Sequence, residues 1–222
     1  MAFRAAIFDL DGVLVDSARL HFVAWKRIAD EVGIAFDEHD NEALKGVDRM
    51  GSLDHILALG RASLDLQARE QLAARKNGYY LEALATMTDA DILPGATALL
   101  ASARAAGLSL GVASASRNAT MVLDRAGLSR SIDFVADAAK VARSKPAPDI
   151  FLACASGLGI APGDCVGFED AAAGVTAIKA AGMVAIGIGG SDILAEADLV
   201  FGSTAAVDLD QVLGLAPAAS QV

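Results

Sequence analysis

The run Ala5-Ala6-Ile7-Phe8, followed at once by Asp9-Leu10-Asp11-Gly12, constrains this chain more than any other stretch. Four apolar residues are too few for a helix, and with no polar residue alternating among them they predict a parallel strand buried on both faces. Residues two apart in extended or turning backbone project to one side. Asp9 and Asp11 are therefore expected to face a common point while Gly12 lets the chain turn away. Two carboxylates there suit a hard cation. They also permit a division of labour, with one attacking as a nucleophile and the other handling a proton. A solvated acidic turn is the alternative reading, because acidic residues are common in turns.

Downstream of this strand, Leu20, Val23, Ala24, Ile28 and Val32 recur at helical spacing, with Asp16 or Ser17 as cap and Gly33 as stop. Helical patterns continue over 38–44, 52–59 and 66–84, and no strand interrupts them before Pro94. The rhythm then changes to alternation. Helices are expected over 96–106, 118–126, 149–158 and 171–181, with strands over 108–113, near Phe134, over 165–167, 184–188 and 199–201. Such alternation predicts an α/β fold, a doubly wound and mainly parallel sheet with an inserted all-helical cap domain. The expected division is a core of 1–16 and 91–222 and a cap of 17–90. The tail from Ala216 to Val222 is expected to fray.

Active groups in doubly wound sheets gather at the carboxyl ends of strands. Ser114-Ala115-Ser116-Arg117-Asn118 follows one strand and offers hydroxyls, an amide and a guanidinium as phosphate donors, or else a simple cluster of helix caps. Lys145 stands before Pro146, whose fixed ring can hold the ammonium in place, and the Lys145-Pro146 bond is the place to expect a cis peptide. Gly167-Phe168-Glu169-Asp170 closes a further strand with two acids. Oxygen ligands from separate strands favour Mg²⁺ over zinc.

Taken in order, Phe8-Asp9-Leu10-Asp11-Gly12-Val13, Ser114, Lys145 and Glu169-Asp170 resemble the four motifs of the haloacid dehalogenase-like superfamily. The resemblance implies an aspartyl-phosphate at Asp9 and general acid/base work at Asp11. It implies phosphate and transition-state contacts from Ser114, Ala115 and Lys145, and Mg²⁺ held by Asp9, Asp11, Glu169 and Asp170.

In the helical insert, His21 to Lys26, Leu44 to Arg49, Ser52 and Arg75-Lys76-Asn77 are similar to the sugar-phosphate mutases of that superfamily. The similarity implies interconversion of β-D-glucose 1-phosphate and D-glucose 6-phosphate, with β-glucose 1,6-bisphosphate as the activating intermediate. Substrate contacts are then expected from His21, Trp25, Lys45, Gly46, Val47, Arg49, Ser52, Lys76, Ser116, Arg117 and Asn118. Arg49 with Ser116, Arg117 and Asn118 is the expected clamp on a distal phosphate, since a guanidinium binds phosphate through parallel hydrogen bonds. A Mg-dependent sugar-phosphate phosphatase with the same nucleophile is the alternative activity, and a phosphoacceptor signalling domain a more distant one. Three positions depart from the mutase pattern: Arg117 replaces Lys, Ser17 replaces Thr, and Asp48 replaces a neutral Ser. Asp48 is expected to weaken the grip of Arg49. Trp25 and Val23 also fit plain helix core, and His39 and His55 read as exposed.

Eighteen Lys and Arg against 28 Asp and Glu give a net charge of -10, which repels polyanions and argues against nucleic acid or anionic membrane as partner. No basic segment precedes a long apolar run and no near-twenty-residue apolar stretch occurs, so a cytoplasmic location is expected for the sugar-phosphate enzyme that the resemblance implies. Cys154 and Cys165 lack ligand spacing and read as buried apolar fillers. Without heptads, a monomer is the expectation.

Overall fold

The computed structural model of the chain describes residues 2–215, so the expected fraying of 216–222 lies outside the described residues. Strands β1 (Ala5–Phe8), β2 (Ser109–Val112), β3 (Phe134–Val135), β4 (Cys165–Glu169), β5 (Val184–Ile188) and β6 (Leu199–Phe201) form one sheet. Every pairing is parallel, and the order is β3-β2-β1-β4-β5-β6. The chain winds outward from β1 in one direction, then returns to start again at β4. The crevice beyond the carboxyl ends of β1 and β4 is thus the topological switch point, where such sheets bind ligands.

Helices α5 (Ala96–Ala105), α6 (Ala119–Arg125), α7 (Asp149–Leu158) and α8 (Ala172–Ala180) cover both faces, as the alternation requires. Along β1 the side chains alternate between two buried clusters. Ala6 and Phe8 meet Leu99, Leu100 and Val122, whereas Ala5 and Ile7 meet Phe151, Cys154 and Ile178. Ile7 is flanked in register by Gly111 and Gly167. A Cβ at Gly111 would lie 2.4 Å from Cys154 Sγ and one at Gly167 would lie 2.7 Å from Ile178, so these glycines let α7 and α8 approach the sheet closely. Both cysteines are buried and free, and Cys154 does fill that space.

Between β1 and α5 stand α1 (Ala18–Glu31), α2 (Glu38–Glu42), α3 (Arg49–Leu59) and α4 (Leu66–Leu84). They enclose a third cluster that includes Trp25, Ile28, Phe36, Leu53, Ile56 and Leu72. This helical unit is not independent of the sheet, because Leu20, Ala24, Tyr80, Leu84 and Met87 pack in the same cluster as Phe8.

Several local expectations need correction. α3 starts at Arg49 rather than Ser52, because the Asp48 carboxylate caps it by accepting from Met50 N at 2.8 Å and Gly51 N at 3.0 Å. β4 runs on to Glu169. Val23 is 51% exposed and is not core, and His55 is partly buried while His39 is exposed. Ser17 occupies the cap position of α1, yet its hydroxyl makes no capping bond. A last turn, α9 (Leu209–Leu213), is capped by Asp208; its five residues are too few to show a period. No helix among the described residues is long and apolar enough to cross a membrane.

Candidate active site

β1 delivers Asp9 into the switch-point crevice. Its N–H donates to Phe168 O at 2.9 Å, which sets Asp9 beside the end of β4, and Phe8 stacks on Phe168 with ring centroids 4.7 Å apart. β4 supplies Glu169, fully buried, and then Asp170. Carboxylate oxygens of Asp9, Glu169 and Asp170 lie within 4.8 Å of one another. The loop before α7 brings in Lys145 next to a cis Pro146. Its ammonium donates to Asp9 Oδ1 at 2.5 Å and to Glu169 Oε2 at 2.7 Å. Burial alone would lower the Lys145 pKa, but the two carboxylates outweigh it and hold the ammonium charged.

The electrostatics of this cluster fit a divalent cation. Burial, then the Asp9 charge, raises Asp170 to about 7 and lifts Glu169 well above its ordinary range, because one ammonium does not balance three crowded carboxylates. Glu169 Oε1 is buried with no hydrogen-bond partner, an acceptor left over for a metal. Gly174 leaves room for this side chain, since a Cβ there would lie 2.0 Å from Glu169 Cδ.

Asp11, expected among the ligands, presents its carboxylate elsewhere. Oδ1 accepts from the Ser17 hydroxyl and Oδ2 from Ser114 Oγ at 3.3 Å, so the turn at Gly12 separates the two acids into two environments. Burial and then the Asp9 charge raise Asp11 to about 6, against the opposing effect of these hydroxyls. His21 Nε2 lies 3.8 Å from Asp11 Oδ1, and His21 Nδ1 lies 2.7 Å from Lys76 Nζ. Lys76 is itself buried, with its ammonium over the Trp25 and Tyr80 rings. Burial and the charge of Arg49 bring Lys76 down to about 7, and burial with the Lys76 and Arg49 charges keeps the imidazole of His21 neutral at that pH.

A cavity of about 570 Å³ joins these groups to the helical unit. Asp9, Asp11, Ser114, Ala115, Ser116, Arg117, Lys145 and Asp170 line it from the sheet side. His21, Trp25, Lys45, Gly46, Val47, Arg49, Ser52 and Lys76 line it from the helices. Trp25 therefore both packs and faces the cavity. The Lys45 ammonium is taken up by Glu42 at 2.8 Å. Gly46, at φ +72, sets the loop down on the core: a Cβ there would lie 3.6 Å from Lys145 and 3.7 Å from Ala171.

Asn118, expected in the distal clamp, is not among the lining residues. Its amide donates to Asn77 Oδ1 at 3.0 Å, and the same oxygen accepts from Arg49 Nη2 at 2.7 Å. Asn77 thus ties core to cap, a role the sequence reading passes over. The available signal was spacing, since Asn77 sits four residues after buried Ala73 on one helix face. Asp48 makes no salt bridge with Arg49. It accepts from Ser144 Oγ at 2.6 Å across the seam, so its expected effect on Arg49 is not a direct pairing.

A carboxylate at the end of the central strand, a buried lysine on it, an acidic pair on the next strand and a helical insert above define a phosphoryl-transfer site on a doubly wound core. The chain belongs to the haloacid dehalogenase-like hydrolases, whose family profile matches residues 3–182. Within that family it is 42% identical over 209 residues to a β-phosphoglucomutase of Bacillus subtilis (strain 168), covering 93% of this chain and 92% of that one. A crystal structure of β-phosphoglucomutase from Clostridium difficile superposes with a TM-score of 0.92 at 42% identity, covering 95% of each chain. A fructose-1-phosphate phosphatase of Escherichia coli (strain K12) is more distant, at 34% identity over 84% of this chain and 96% of that one.

Proposed function

We propose that this protein is a β-phosphoglucomutase, interconverting β-D-glucose 1-phosphate and D-glucose 6-phosphate through β-glucose 1,6-bisphosphate. The observation that carries the reading is one cavity lined both by the carboxylate nucleophile and by two guanidiniums. Arg49 and Arg117 both line it, and among the described residues neither has a carboxylate partner in a salt bridge. A substrate with phosphate at both ends needs cationic groups at both ends.

Asp9 is the nucleophile and Asp11 the proton carrier. In one half-reaction the phosphoryl group on Asp9 passes to the 6-hydroxyl of β-glucose 1-phosphate. The bond from phosphorus to Asp9 breaks as the bond to the sugar oxygen forms, and Asp11 takes the hydroxyl proton. The bisphosphate then turns end for end. Asp9 attacks its 1-phosphate, and Asp11 returns the proton to the departing oxygen, which releases glucose 6-phosphate. A proton carrier near pH 6 suits both directions. Lys145, with Ser114 and the Ala115 backbone, steadies the transferring oxygens. Asp9, Glu169 and Asp170 would hold Mg²⁺, which when bound supplies charge neutralisation at the transferring phosphoryl group. The segment 17–90 acts as a cap over a core of 1–16 and 91–222, and its closure excludes water while the bisphosphate is retained. A cytoplasmic monomer acting on free sugar phosphates fits the charge of -10.

With Mg²⁺, β-glucose 1-phosphate and a primer of β-glucose 1,6-bisphosphate, glucose 6-phosphate is expected to accumulate with little free phosphate. Free phosphate without glucose 6-phosphate would instead mark a hydrolase, the activity of the E. coli relative.

Stability should report the cation directly. With Asp11 and Asp170 raised by burial, these two carboxyls bind more protons in the metal-free folded protein than in the unfolded chain between about pH 4 and about pH 7. The stability these groups contribute is full at the acid end of that interval and is lost as pH rises through it. Mg²⁺ favours the ionised cluster, so the rise in melting temperature on adding Mg²⁺ should grow from pH 4.5 to pH 7.5, as about these limits require. A Mg²⁺ effect independent of pH would refute this account of the cluster.

A further inference from the structure

We infer that Asn77 is the positioning residue of the distal phosphate clamp, its side-chain oxygen holding Arg49 of the cap in register with Asn118 of the core before any sugar phosphate arrives; this deepens the mutase reading and rests on it. Arg49 opens α3 and lines the cavity, whereas Asn77 on α4 and Asn118 at the start of α6 are not among the lining residues. Asn77 therefore acts through Arg49. Its Oδ1 accepts from Arg49 Nη2 at 2.7 Å and from Asn118 Nδ2 at 3.0 Å. The guanidinium fixes the orientation of both amides, because it can only donate: Asn77 must turn its oxygen to Arg49, and Asn118 must then turn its NH₂ to that oxygen.

Both asparagines depart from what their helices favour. Asn is a poor residue for a helix interior, yet Asn77 sits inside the 19-residue α4. Asn118 has the residue type of a cap, but its side chain makes no capping bond and reaches across the seam instead. In each case a local preference yields to one long-range contact, as happens where a site is being built. The main chain extends the register. Asn118 N donates to Ser116 Oγ at 3.2 Å, and Ser116 lines the cavity from the core. A continuous chain of hydrogen bonds thus joins Arg49, on the cap side of the cavity, to Ser116 on the core side.

The neutrality of the acceptor decides what it does. A carboxylate at this position would orient Arg49 equally well, but it would also satisfy the charge of the guanidinium and compete with an incoming phosphate. An amide oxygen takes one N–H and leaves the charge and the other N–H groups to the ligand. The ordering cost of binding is then met in advance. For a mutase the gain recurs, because the bisphosphate releases its distal phosphate, turns and binds again while the clamp stays assembled. Seating of the cap does not rest on Asn77 alone, since Ser144 Oγ donates to the Asp48 carboxylate at 2.6 Å across the same seam. Changing Asn77 therefore tests the clamp rather than the cap.

Asn77→Ala, which suits a helix interior better, is expected to raise KM for β-glucose 1,6-bisphosphate in the Mg²⁺-loaded mutase assay about tenfold, the effect of one lost hydrogen bond to a charged donor. kcat should change far less, because the clamp grips ground and transition states alike. Phosphorylation of Asp9 by acetyl phosphate, which has no distal phosphate, should keep its wild-type rate. Asn77→Asp, which keeps the acceptor but neutralises Arg49, should also raise KM. In the Arg49→Ala background, Asn77→Ala should add little further. An unchanged KM in Asn77→Ala, with its melting temperature preserved, would overturn the inference. So would wild-type KM in Asn77→Asp, an equal fall in the acetyl phosphate rate, or a full effect that survives Arg49→Ala. Wild-type mutase activity with no effect of Asn77 rejects only the role of Asn77, whereas wild-type protein that makes no glucose 6-phosphate rejects the function and this inference with it.

Discussion

Asp9→Asn protein is expected to lose sugar-phosphate turnover by about 10⁴-fold or more and to keep its fold. The amide has the shape of the carboxylate but not its nucleophilic oxygen, so no acyl phosphate can form. Nothing in the packing depends on the lost charge. Lys145 retains its bond to Glu169 at 2.7 Å, and removing one of three crowded carboxylates relieves the repulsion that raises Glu169 and Asp170. Circular dichroism and thermal unfolding should therefore match wild type, with a midpoint that is equal or higher without Mg²⁺. Substrate should still bind, because the cavity walls are unchanged. Appreciable turnover in this variant would move the nucleophile to another residue.

Asp11→Asn should lower transfer by about 10²–10⁴-fold, the range expected when a positioned proton carrier is lost. Geometry again survives, because an amide oxygen can still accept from Ser17 or Ser114. What disappears is a group near pH 6 that takes a proton in one half-reaction and returns it in the other. Two readouts distinguish this from simple damage. The limb of the pH profile near about 6 should vanish, and any phosphoryl group placed on Asp9 by acetyl phosphate should persist for longer than in wild type. A profile of unchanged shape with a uniformly reduced rate would mean that Asp11 merely supports the site.

Much of this was legible in the sequence, and the reasons are physical. A short apolar run ending in acid can hardly be anything but a buried strand with its chemistry at the tip, and β1 lies where the run predicted. The spacing of strands and helices after Pro94 fixes a parallel sheet because parallel neighbours require crossover helices. Strand ends were readable as well, so Asp9, Ser114 and Glu169 could be gathered before their distances were known, and Lys145 joined them through its place before Pro146 and the family resemblance. Side-chain direction was not readable. Asp9 and Asp11 are two apart, yet the turn at Gly12 sends one carboxylate to the acidic cluster and the other to Ser17 and Ser114. Ser17 has the composition of a cap, but its hydroxyl is turned to donate to Asp11 Oδ1 and accepts from no first-turn amide.

Contacts across the seam were equally hidden. Asp48 with Ser144 and Asn77 with Asn118 are separated by 96 and 41 residues, and no local pattern reports such pairs. Charge alone suggested that Asp48 would act on its neighbour Arg49. Helix geometry turns it instead to its own first-turn amides and to the core.

The central claim is that phosphorus becomes covalently attached to Asp9 during each cycle. Rapid quench of the Mg²⁺-loaded enzyme with β-glucose 1,6-bisphosphate, followed by borohydride trapping and peptide mass spectrometry, tests it most directly. The account predicts one acid-stable but base-labile phosphoryl adduct, formed and discharged as fast as turnover, which borohydride reduces to homoserine at position 9. An adduct on any other residue, or full catalysis with no covalent species, would contradict it.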